Sequence, residues 1–529
     1  MKTKTYKKAH GRGKFSISKT FAQKLPCGVI ATVPPLALAA IACSEAKLPE
    51  RPNVVLIVAD DLGIGDLSCY GRGIIETPQI DSLAANGILF ENGYSTSATS
   101  TPSRLALFTG MYPWREPKAE ILPGDAPLLI DPETDTWPKM MQNAGYTTAA
   151  IGKWHLGMGR GETDWNKDIV PSANTVGFDY TNLIPATVDR VPTVYVENGK
   201  VDGLDPEDPI YVNYKEGFPG EPDAISNPEL MRMKWEHGHQ NSVINGIPRI
   251  GWMKGGKKAI WNDEEMAFYF LDKAKKFIDK NSSSPFFLYY GLHQPHVPRT
   301  PASRFAGSTK LGPRGDAVVE ADWCVGQLIK HLDSLGLLEN TLIILTSDNG
   351  AVLQDGYRDQ ADSLAKVYGH DPSGDLRGGK YSLFDGGTHI PFIVYWKNHI
   401  KPAVSKAYFC QMDLYPTFAS LLGGKAPENL DGESHPDVLI GKKLSGGRKA
   451  QVLEAEKRLA FRDGNFVLIP PYKGEERNTT GNELGNLKDF AMYDLSADPL
   501  QRENIAAQNP ELFEKMKEDF SKMTEGYKK

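Results

Sequence analysis

The chain has 529 residues, of which 40% are hydrophobic, and it contains 9 Trp, 21 Tyr and 21 Phe. This composition excludes a disordered protein and suffices for a large core in two or three structural units. The formal charge of −6 becomes −14 beyond residue 43, because residues 1–43 carry eight Lys and Arg and no acid. Such an acidic chain is a poor binder of nucleic acid, and an anionic ligand would need a locally positive pocket.

The first 43 residues predict an export signal. A basic stretch runs to Lys24, and an apolar run that contains Pro34 and Pro35 ends in Ala-Ile-Ala-Cys43. Small residues before a cysteine resemble the lipobox of bacterial lipoproteins, which implies a lipid anchor on Cys43; cleavage nearby, giving a soluble periplasmic protein, is the alternative. The run is too short for a comfortable transmembrane helix. We expect an exported protein of a Gram-negative bacterium, periplasmic or membrane-anchored, with residues 44–52 as a linker.

Four apolar segments predict buried strands of a parallel sheet, and polar residues follow each of them. The segments are 54–58, followed by Asp60 and Asp61; 147–151, followed by Lys153 and His155; 285–290, followed by His293 and His296; and 342–346, followed by Asp348 and Asn349. Helices are predicted over 264–279 and 316–335. Because ligands of open α/β sheets bind at the carboxyl ends of the strands, these polar residues are expected to form a site.

The stretch 164–261 is irregular and rich in Pro, Gly, Asn and Asp, and a loop of that length usually shapes a substrate site. Beyond about residue 440, short antiparallel strands are predicted at 458–462, 466–469 and 492–495, with a charged helix from Pro510. We therefore predict a catalytic domain over 53–435 and a C-terminal subdomain over 436–529. Cys69, Cys324 and Cys410 are too scattered for a disulfide framework or a metal site and are expected to be small buried side chains.

The segment from Ser100 through Pro102 and Arg104 to Thr109-Gly110 resembles the signature of the type I sulfatases. Other segments resemble that family in the same order; they are Asp60-Asp61, Gly152-Lys153-Trp154-His155, His293-Gln294-Pro295-His296, Asp348-Asn349-Gly350, Gly378-Gly379-Lys380 and Tyr493-Asp494-Leu495. The resemblance runs from about residue 51 to the end and is weakest over 160–260. It implies an α/β fold of the alkaline phosphatase-like type, with a large mixed sheet between helices and a small antiparallel sheet in the C-terminal subdomain.

The resemblance implies a nucleophile made by oxidation of Ser100 to formylglycine. A serine at this position resembles the bacterial subtype that anaerobic radical-SAM enzymes mature. One hydroxyl of hydrated formylglycine would attack sulfur, and deprotonation of the other would release sulfate, whereas plain serine would stay trapped as the ester. The resemblance also implies one Ca²⁺, which prefers hard oxygen ligands. Its ligands would be Asp60, Asp61, Ser100, Asp348 and Asn349.

The remaining catalytic roles follow from the same resemblance. Arg104 and Lys153 would hold the formylglycine, and His155 would be the base for its second hydroxyl. His296 and Lys380 would face the sulfate, and one of them would protonate the leaving alcohol. Alone, each of these residues could be a surface lysine or a structural histidine, but five ordered segments agree on the site.

Residues for the sugar are expected mainly in the irregular stretch. Asp189, Arg190, His237 and His239 are of the kind that hydrogen-bond sugar hydroxyls, while His293 would bind substrate or only brace its loop. The segment 186–192 resembles sulfatases that act on galactose or N-acetylgalactosamine 6-sulfate. The alternatives are a surface ion pair between Asp189 and Arg190, and a transition-metal site at the two histidines, which lack a third ligand at useful spacing.

Two other functions stay open at this point. A phosphatase, phosphodiesterase or phosphonate hydrolase of the same superfamily would usually need two metals, whereas Lys153 and Lys380 occupy the places where a second metal would bind. A non-catalytic glycan-binding lipoprotein would result if Ser100 were never oxidised.

Overall fold

The computed structural model describes residues 51–71 and 73–527. The predicted export signal, Cys43 and the linker up to residue 50 lie outside these residues. The described residues fall in one compact unit, so the boundary that we place at residues 435 and 436 stays a prediction. In the described ranges, no helix combines the length and the apolar character that crossing a bilayer requires.

The described chain contains both strands and helices, with runs of consecutive short strands over residues 180–254 and 450–494. The strands are β1 (Asn53–Ala59), β2 (Ile88–Tyr94), β3 (Thr147–Lys153), β4 (Tyr180–Ile184), β5 (Val196–Glu197), β6 (Lys200–Val201), β7 (Tyr211–Asn213), β8 (Val243–Ile244), β9 (Ile247–Pro248), β10 (Trp252–Lys254), β11 (Phe286–Gly291), β12 (Thr341–Ser347), β13 (Phe392–Tyr395), β14 (Ala403–Cys410), β15 (Ala450–Ala455), β16 (Arg458–Asp463), β17 (Phe466–Ile469) and β18 (Ala491–Asp494). The α-helices are α1 (Pro78–Asn86), α2 (Ser100–Thr109), α3 (Trp137–Asn143), α4 (Met266–Asn281), α5 (Gly312–Ser334), α6 (Ala361–Tyr368), α7 (Leu414–Leu421), α8 (Pro436–Leu439) and α9 (Pro510–Met523).

A mixed sheet of ten strands runs through the molecule in the order β14-β2-β13-β12-β1-β11-β3-β4-β5-β6. Its central strands, from β12 to β4, are parallel, and β1 lies between β12 and β11. Side chains of β1 alternate between two hydrophobic cores, one on each face of the sheet. Both faces of the sheet are therefore buried, which explains the continuous apolar run of this strand.

Helices cover both faces of the sheet. Helices α4 and α5 supply Phe270, Phe277 and Leu328 to the core on one face, and α3 and α7 supply Trp137 and Phe418 to the other. The predicted fold, a large mixed sheet between helices, is confirmed. The predicted helices 264–279 and 316–335 correspond to α4 and α5 with shifted ends.

A separate antiparallel sheet has the order β15-β16-β17-β18, and α9 packs on it through Met516 and Phe520. This is the small C-terminal sheet expected from the sequence, with β15 as a strand that the sequence analysis missed. Its core also includes Tyr112 and Trp114, which follow α2. The segment after the signature thus packs directly against the C-terminal sheet.

The irregular stretch contains more regular structure than expected. Strand β4 extends the parallel part of the main sheet beside β3, and β5 to β10 are short antiparallel pieces. The polar residues Thr181 and Asn182 hid β4 from a search for apolar runs. The cysteines are free thiols; Cys324 and Cys410 are buried as expected, whereas Cys69 is only partly buried.

Candidate active site

The carboxyl ends of four adjacent strands carry the predicted polar residues. Strands β12, β1, β11 and β3 are neighbours in this order, so the residues that follow them meet at one edge of the sheet. Gly350 allows the loop after β12 to approach a second loop closely, because a Cβ atom there would lie 1.8 Å from the backbone oxygen of Gly386. That second loop follows Lys380 and is thereby held beside the strand ends.

Ser100 is the first residue of α2 and is 3% exposed. Its Oγ accepts a hydrogen bond from Lys153 Nζ at 2.7 Å and donates to Asn349 Oδ1 at 3.3 Å. The helix ends at Gly110, whose φ of 68° is in the left-handed region that favours glycine. The two ends of the signature therefore mark the two ends of one short buried helix.

Arg104 lies one helical turn after Ser100 and faces the same edge of the sheet. Its Nε and Nη2 donate to Asp348 Oδ2 at 3.0 and 2.7 Å, and its Nη1 donates to the hydroxyl of Tyr289. Arg104 is fully buried, so this pairing fixes both the arginine and the carboxylate behind Ser100.

Three carboxylates lie together at the strand ends. Asp61 accepts from Asn349 Nδ2 at 2.8 Å, and its backbone N–H donates to Asp348 Oδ1 at 3.2 Å. Lys153 Nζ donates to Asp60 Oδ1 and, at 3.1 Å, to Asp348 Oδ2. Burial would raise the pKa of Asp348, but Lys153 and Arg104 outweigh it and hold that pKa below its usual range.

Asp60 is the carboxylate that this arrangement leaves incompletely paired. Burial, followed by the negative charges of Asp348 and Asp61, raises its pKa well above the usual range, against the attraction of Lys153. Within the described part of the chain, its buried Oδ2 has no hydrogen-bond partner. A buried, unpartnered carboxylate oxygen beside two further carboxylates and an amide oxygen fits a hard divalent cation. Ligating atoms of Asp60, Asp61 and His296 lie within 4.8 Å of one another.

Lys380 and His296 form a second pair at this edge. Lys380 Nζ donates to Asp61 Oδ2 at 2.9 Å and to Asp355 Oδ2 at 2.8 Å, and it lies 3.3 Å from His296 Nε2. Burial alone would lower the pKa of Lys380, but Asp355 and Asp61 raise it well above the usual value. The pKa of His296 is lowered well below its usual value by burial and by Lys380. Lys380 is thus an ammonium, and His296 is a neutral imidazole.

His155 follows β3 and has a left-handed backbone with φ of 57°. Its Nε2 lies 3.0 Å from the backbone oxygen of Leu122, so Nε2 carries the proton and donates. Its buried Nδ1 has no partner among the described residues. Burial, and then the charges of Lys153 and Arg190, lower the pKa of His155 well below its usual value. The ring is therefore neutral, with an unengaged lone pair on Nδ1.

A cavity of about 110 Å³ joins the strand-end residues to the irregular stretch. Its lining residues are Ser100, Ile121, His155, Asp189, Arg190, His237, His239, Ile250, His296, Asp355, Lys380 and Tyr381. The residues predicted for catalysis and those predicted for the sugar thus meet in one cavity. Arg104 and Lys153 lie behind Ser100, on its carboxylate side, and His293 is not among the described lining residues.

Asp189 holds the residues predicted for the sugar together. Its Oδ2 accepts from His239 Nε2 at 2.9 Å, and its Oδ1 accepts from Arg190 Nη1 at 2.9 Å. The Nδ1 atom of His239 lies 2.8 Å from the backbone oxygen of His237. Asp189 is 3% exposed, so the alternative of a surface ion pair is wrong. Among the described residues, the group of metal-ligating side chains noted above contains neither His237 nor His239, so nothing supports a transition-metal site there.

His293 belongs to the turn that precedes His296. Its backbone oxygen accepts from the N–H of His296 at 3.1 Å, which closes the turn after β11. Burial lowers the pKa of His293 to about 4, although Asp263 acts in the opposite direction. This position fits the alternative in which His293 braces the loop.

The sequence analysis missed Asp355, Tyr381 and Tyr289. Asp355 lines the cavity, binds Lys380 and lies 3.3 Å from the hydroxyl of Tyr381. It occurs in a loop without periodicity, so only its charge could have drawn attention to it. Tyr289 lies inside strand β11, and its position in an apolar run predicted only an ordinary core residue.

A protein-family model described as Sulfatase matches residues 52–424. The chain belongs to the sulfatase family. It is 49% identical over 473 residues to an N-acetylgalactosamine-6-O-sulfatase of Bacteroides thetaiotaomicron, which covers 89% of this chain and 92% of that protein. It is 30% identical to human arylsulfatase A over 88% of this chain and 86% of that protein. The sulfatase is therefore a sulfuric ester hydrolase with an alkaline phosphatase-like fold.

A solved structure of a 6S-sulfatase of B. thetaiotaomicron, from work on glycosaminoglycan metabolism, matches with a TM-score of 0.88 at 48% identity. The match covers 90% of this chain and 99% of the other. Formylglycine and Ca²⁺ are general features of this family, and the buried acidic cluster around Asp60 fits the ion.

Proposed function

We propose that this sulfatase hydrolyses the 6-O-sulfate of galactose or N-acetylgalactosamine in host or dietary glycans, with a nucleophile made from Ser100. The observation that carries the proposal is the shared cavity, in which Ser100 and Lys380 face the group formed by Asp189, Arg190 and His239. The 49% identity to an N-acetylgalactosamine-6-O-sulfatase supports the choice of sugar.

Ca²⁺ would be held by Asp60, Asp61, Asp348, Asn349 and residue 100. When bound, the ion supplies positive charge to the sulfate oxygens. Lys153 and Arg104 would orient residue 100 from behind, since Lys153 already donates to Ser100 Oγ and Arg104 fixes Asp348.

Oxidised Ser100 supplies, when hydrated, a nucleophile for sulfur and a second hydroxyl. The base for that hydroxyl would be His155. Its Nδ1 is unprotonated and has no partner among the described residues, and its side chain lines the cavity. The neighbouring cations keep this imidazole neutral at neutral pH.

The proton for the leaving alcohol would come from Lys380. This residue is the protonated member of its pair and lines the cavity with Ser100, so its Nζ would donate directly to the leaving oxygen, while His296 would help to position it. Asp355 would keep Lys380 charged and in place.

Desulfation of a panel of 2-, 3-, 4- and 6-sulfated monosaccharides and disaccharides tests this assignment. We expect release of sulfate from the 6-sulfated galacto-sugars, and a clear preference for another position would refute it. Rates of hydrolysis of an aryl sulfate and an aryl phosphate distinguish a sulfatase from a phosphatase. Lys153 and Lys380 beside the carboxylates disfavour a phosphatase, because they occupy the places where its second metal would bind.

We also propose that an anaerobic radical-SAM enzyme matures Ser100 and that the chain is exported to the periplasm or anchored there through Cys43. Peptide mass spectrometry should find residue 100 lighter by two hydrogens, and an unmodified serine would support a non-catalytic glycan-binding protein. Labelling with a radioactive fatty acid, compared between the natural chain and Cys43→Ala, tests the anchor.

A further inference from the structure

A groove of about 770 Å³ lies beside the catalytic cavity. The segment after α2 separates the two, since Pro117 and Ala119 line the groove and Ile121 lines the cavity. The turn between β15 and β16 forms the rest of the wall. Arg458, from this turn, lines the groove, and its Nη2 donates at 2.8 Å to the backbone oxygen of Tyr381, which lines the cavity. The groove and the cavity therefore share a wall formed by residues 117–121, Arg458 and Tyr381.

An exposed ion pair crosses the ridge between the two spaces. Lys457 Nζ contacts Glu120 Oε1, and the side chains of these residues are 55% and 59% exposed. Exposed pairs of this kind contribute little to stability and open readily. A flexible ligand can thus extend from the cavity across this ridge into the groove.

Aromatic side chains provide much of the groove surface. Trp114, Tyr472 and Tyr527 line it, and the rings of Trp114 and Tyr527 meet edge to face at 5.5 Å between centroids. Rigid rings that combine an apolar face with a polar edge suit ligands of mixed polarity such as sugars. The hydroxyl of Tyr527 donates to the backbone oxygen of Lys457 at 2.6 Å, which fixes its ring in the wall.

The charges on the groove disfavour an anionic occupant. Its acidic residues are Glu116, Glu454, Glu456 and Glu525. Of its basic residues, Arg115 is paired with Asp431, Lys457 with Glu120 and Arg458 with Glu456. Burial raises the pKa of Glu454 to about 7, so Glu116 and Glu525 carry most of the negative charge that remains on the groove. Carboxylates accept hydrogen bonds from hydroxyl groups but repel sulfate, so this surface suits uncharged sugars.

We propose that the groove binds the uncharged sugar residues that follow the sulfated sugar in the same glycan chain. The inference rests on the proposed function, which assigns the sulfated end of the chain to the cavity. The cavity is too small for more than the sulfated end, so a longer substrate must continue outside it, and the groove is the adjoining space. Chains of several sugars are then better substrates than the sulfated monosaccharide.

The test compares galactose 6-sulfate with a trisaccharide whose single sulfate is the 6-sulfate of its terminal galactose. The wild-type enzyme should have a lower KM for the trisaccharide. Tyr527→Ala should raise that KM roughly two- to tenfold, the range for loss of one aromatic contact, and leave kcat/KM on the monosaccharide unchanged. Tyr527→Phe keeps the ring but loses the hydrogen bond to Lys457, so its KM for the trisaccharide should lie closer to that of the wild type than to that of Tyr527→Ala. Tyr368→Ala, which removes an aromatic residue from a separate groove, should change neither substrate.

Equal KM values of the wild type for both substrates, or an equal effect of Tyr527→Ala on both, would overturn the inference. A calorimetric titration with the unsulfated trisaccharide separates this failure from failure of the proposed function. Binding that is lost in Tyr527→Ala supports the groove even if the sulfate position is wrong, whereas binding that Tyr527→Ala leaves intact refutes it.

Discussion

Replacement of Asp189 by Asn separates recognition of the sugar from chemistry at the sulfate. Asn keeps the shape of Asp189 but removes the charge that His239 Nε2 and Arg190 Nη1 contact at 2.9 Å each. Burial would raise the pKa of Asp189, but Arg190, His296 and His239 hold it well below its usual range, so the natural residue is ionised. The variant therefore loses a full negative charge from the wall of the cavity.

The size of the effect follows from these hydrogen bonds. A hydrogen bond to a charged group contributes about 1.5–3 kcal/mol, which corresponds to a factor of roughly 10 to 150 in kcat/KM when one such bond to the substrate is lost. We expect this loss on the 6-sulfated sugar. Activity on a small aryl sulfate, which lacks the sugar hydroxyls, should change less than about threefold.

The assay is steady-state release of sulfate from both substrates, with the extent of Ser100 conversion measured by mass spectrometry in each preparation. Asp164→Asn is the matched control, because Asp164 is paired with Lys167 at the surface and lies outside the cavity. That variant should equal the wild type on both substrates. If Asp189→Asn lowers both activities to the same extent, Asp189 acts on the sulfate or on the fold, and the assignment of the sugar site is wrong.

Four further outcomes follow from the site. Ser100→Ala should fold, by unchanged circular dichroism, yet lose kcat by several powers of ten, and a small loss would exclude residue 100 as the nucleophile. Ser100→Cys should be active only in hosts with a cysteine-oxidising maturation enzyme; activity in every host would mean that the aldehyde is not needed. Chelation should abolish activity and lower the melting temperature, since an ion at a hundredfold excess over its Kd stabilises the fold by about 2.7 kcal/mol, and an unchanged melting temperature would contradict a calcium site. If His155 is the base, activity should persist as pH falls through 6.5 and decline only below it, because the pKa of this imidazole is depressed; a loss centred above pH 6.5 would contradict the role.

The sequence predicted the elements whose pattern is local. Val54 to Val58 are buried on both faces of the sheet, and a strand in that position must be apolar throughout. Gly110 has a left-handed backbone that favours glycine, and Gly350 allows the close approach of the Gly386 backbone. These features explain why the strand ends, and with them the carboxylates and Ser100, could be placed before the structure was known.

The sequence could not predict partners that only the fold brings together. Asp355 meets Lys380 from a loop without periodicity. Strand β4 contains the buried polar residues Thr181 and Asn182, whose hydrogen-bond partners Asn174 and Tyr269 come from other segments. The residue types alone predicted that Asp189 and His239 bind the sugar. They did not predict that these two side chains, 50 residues apart in the sequence, contact each other directly. The groove beside the C-terminal sheet likewise combines residues 114–119 with 454–458 and 525–527, and no sequence pattern links them.

The charges of the buried site explain why an acidic protein can bind a sulfate. Its carboxyl groups are Asp60, Asp61, Asp189, Asp348 and Asp355, and its basic residues are Arg104, Lys153, Arg190 and Lys380. With Asp60 ionised and His155 and His296 neutral, this set carries a net charge of −1, which disfavours an anion. A divalent cation beside Asp60 changes the net charge to +1, and a sulfate monoester then neutralises it. We therefore expect the ion to assist binding of the substrate, and without it the raised pKa of Asp60 allows a proton to take part of that role.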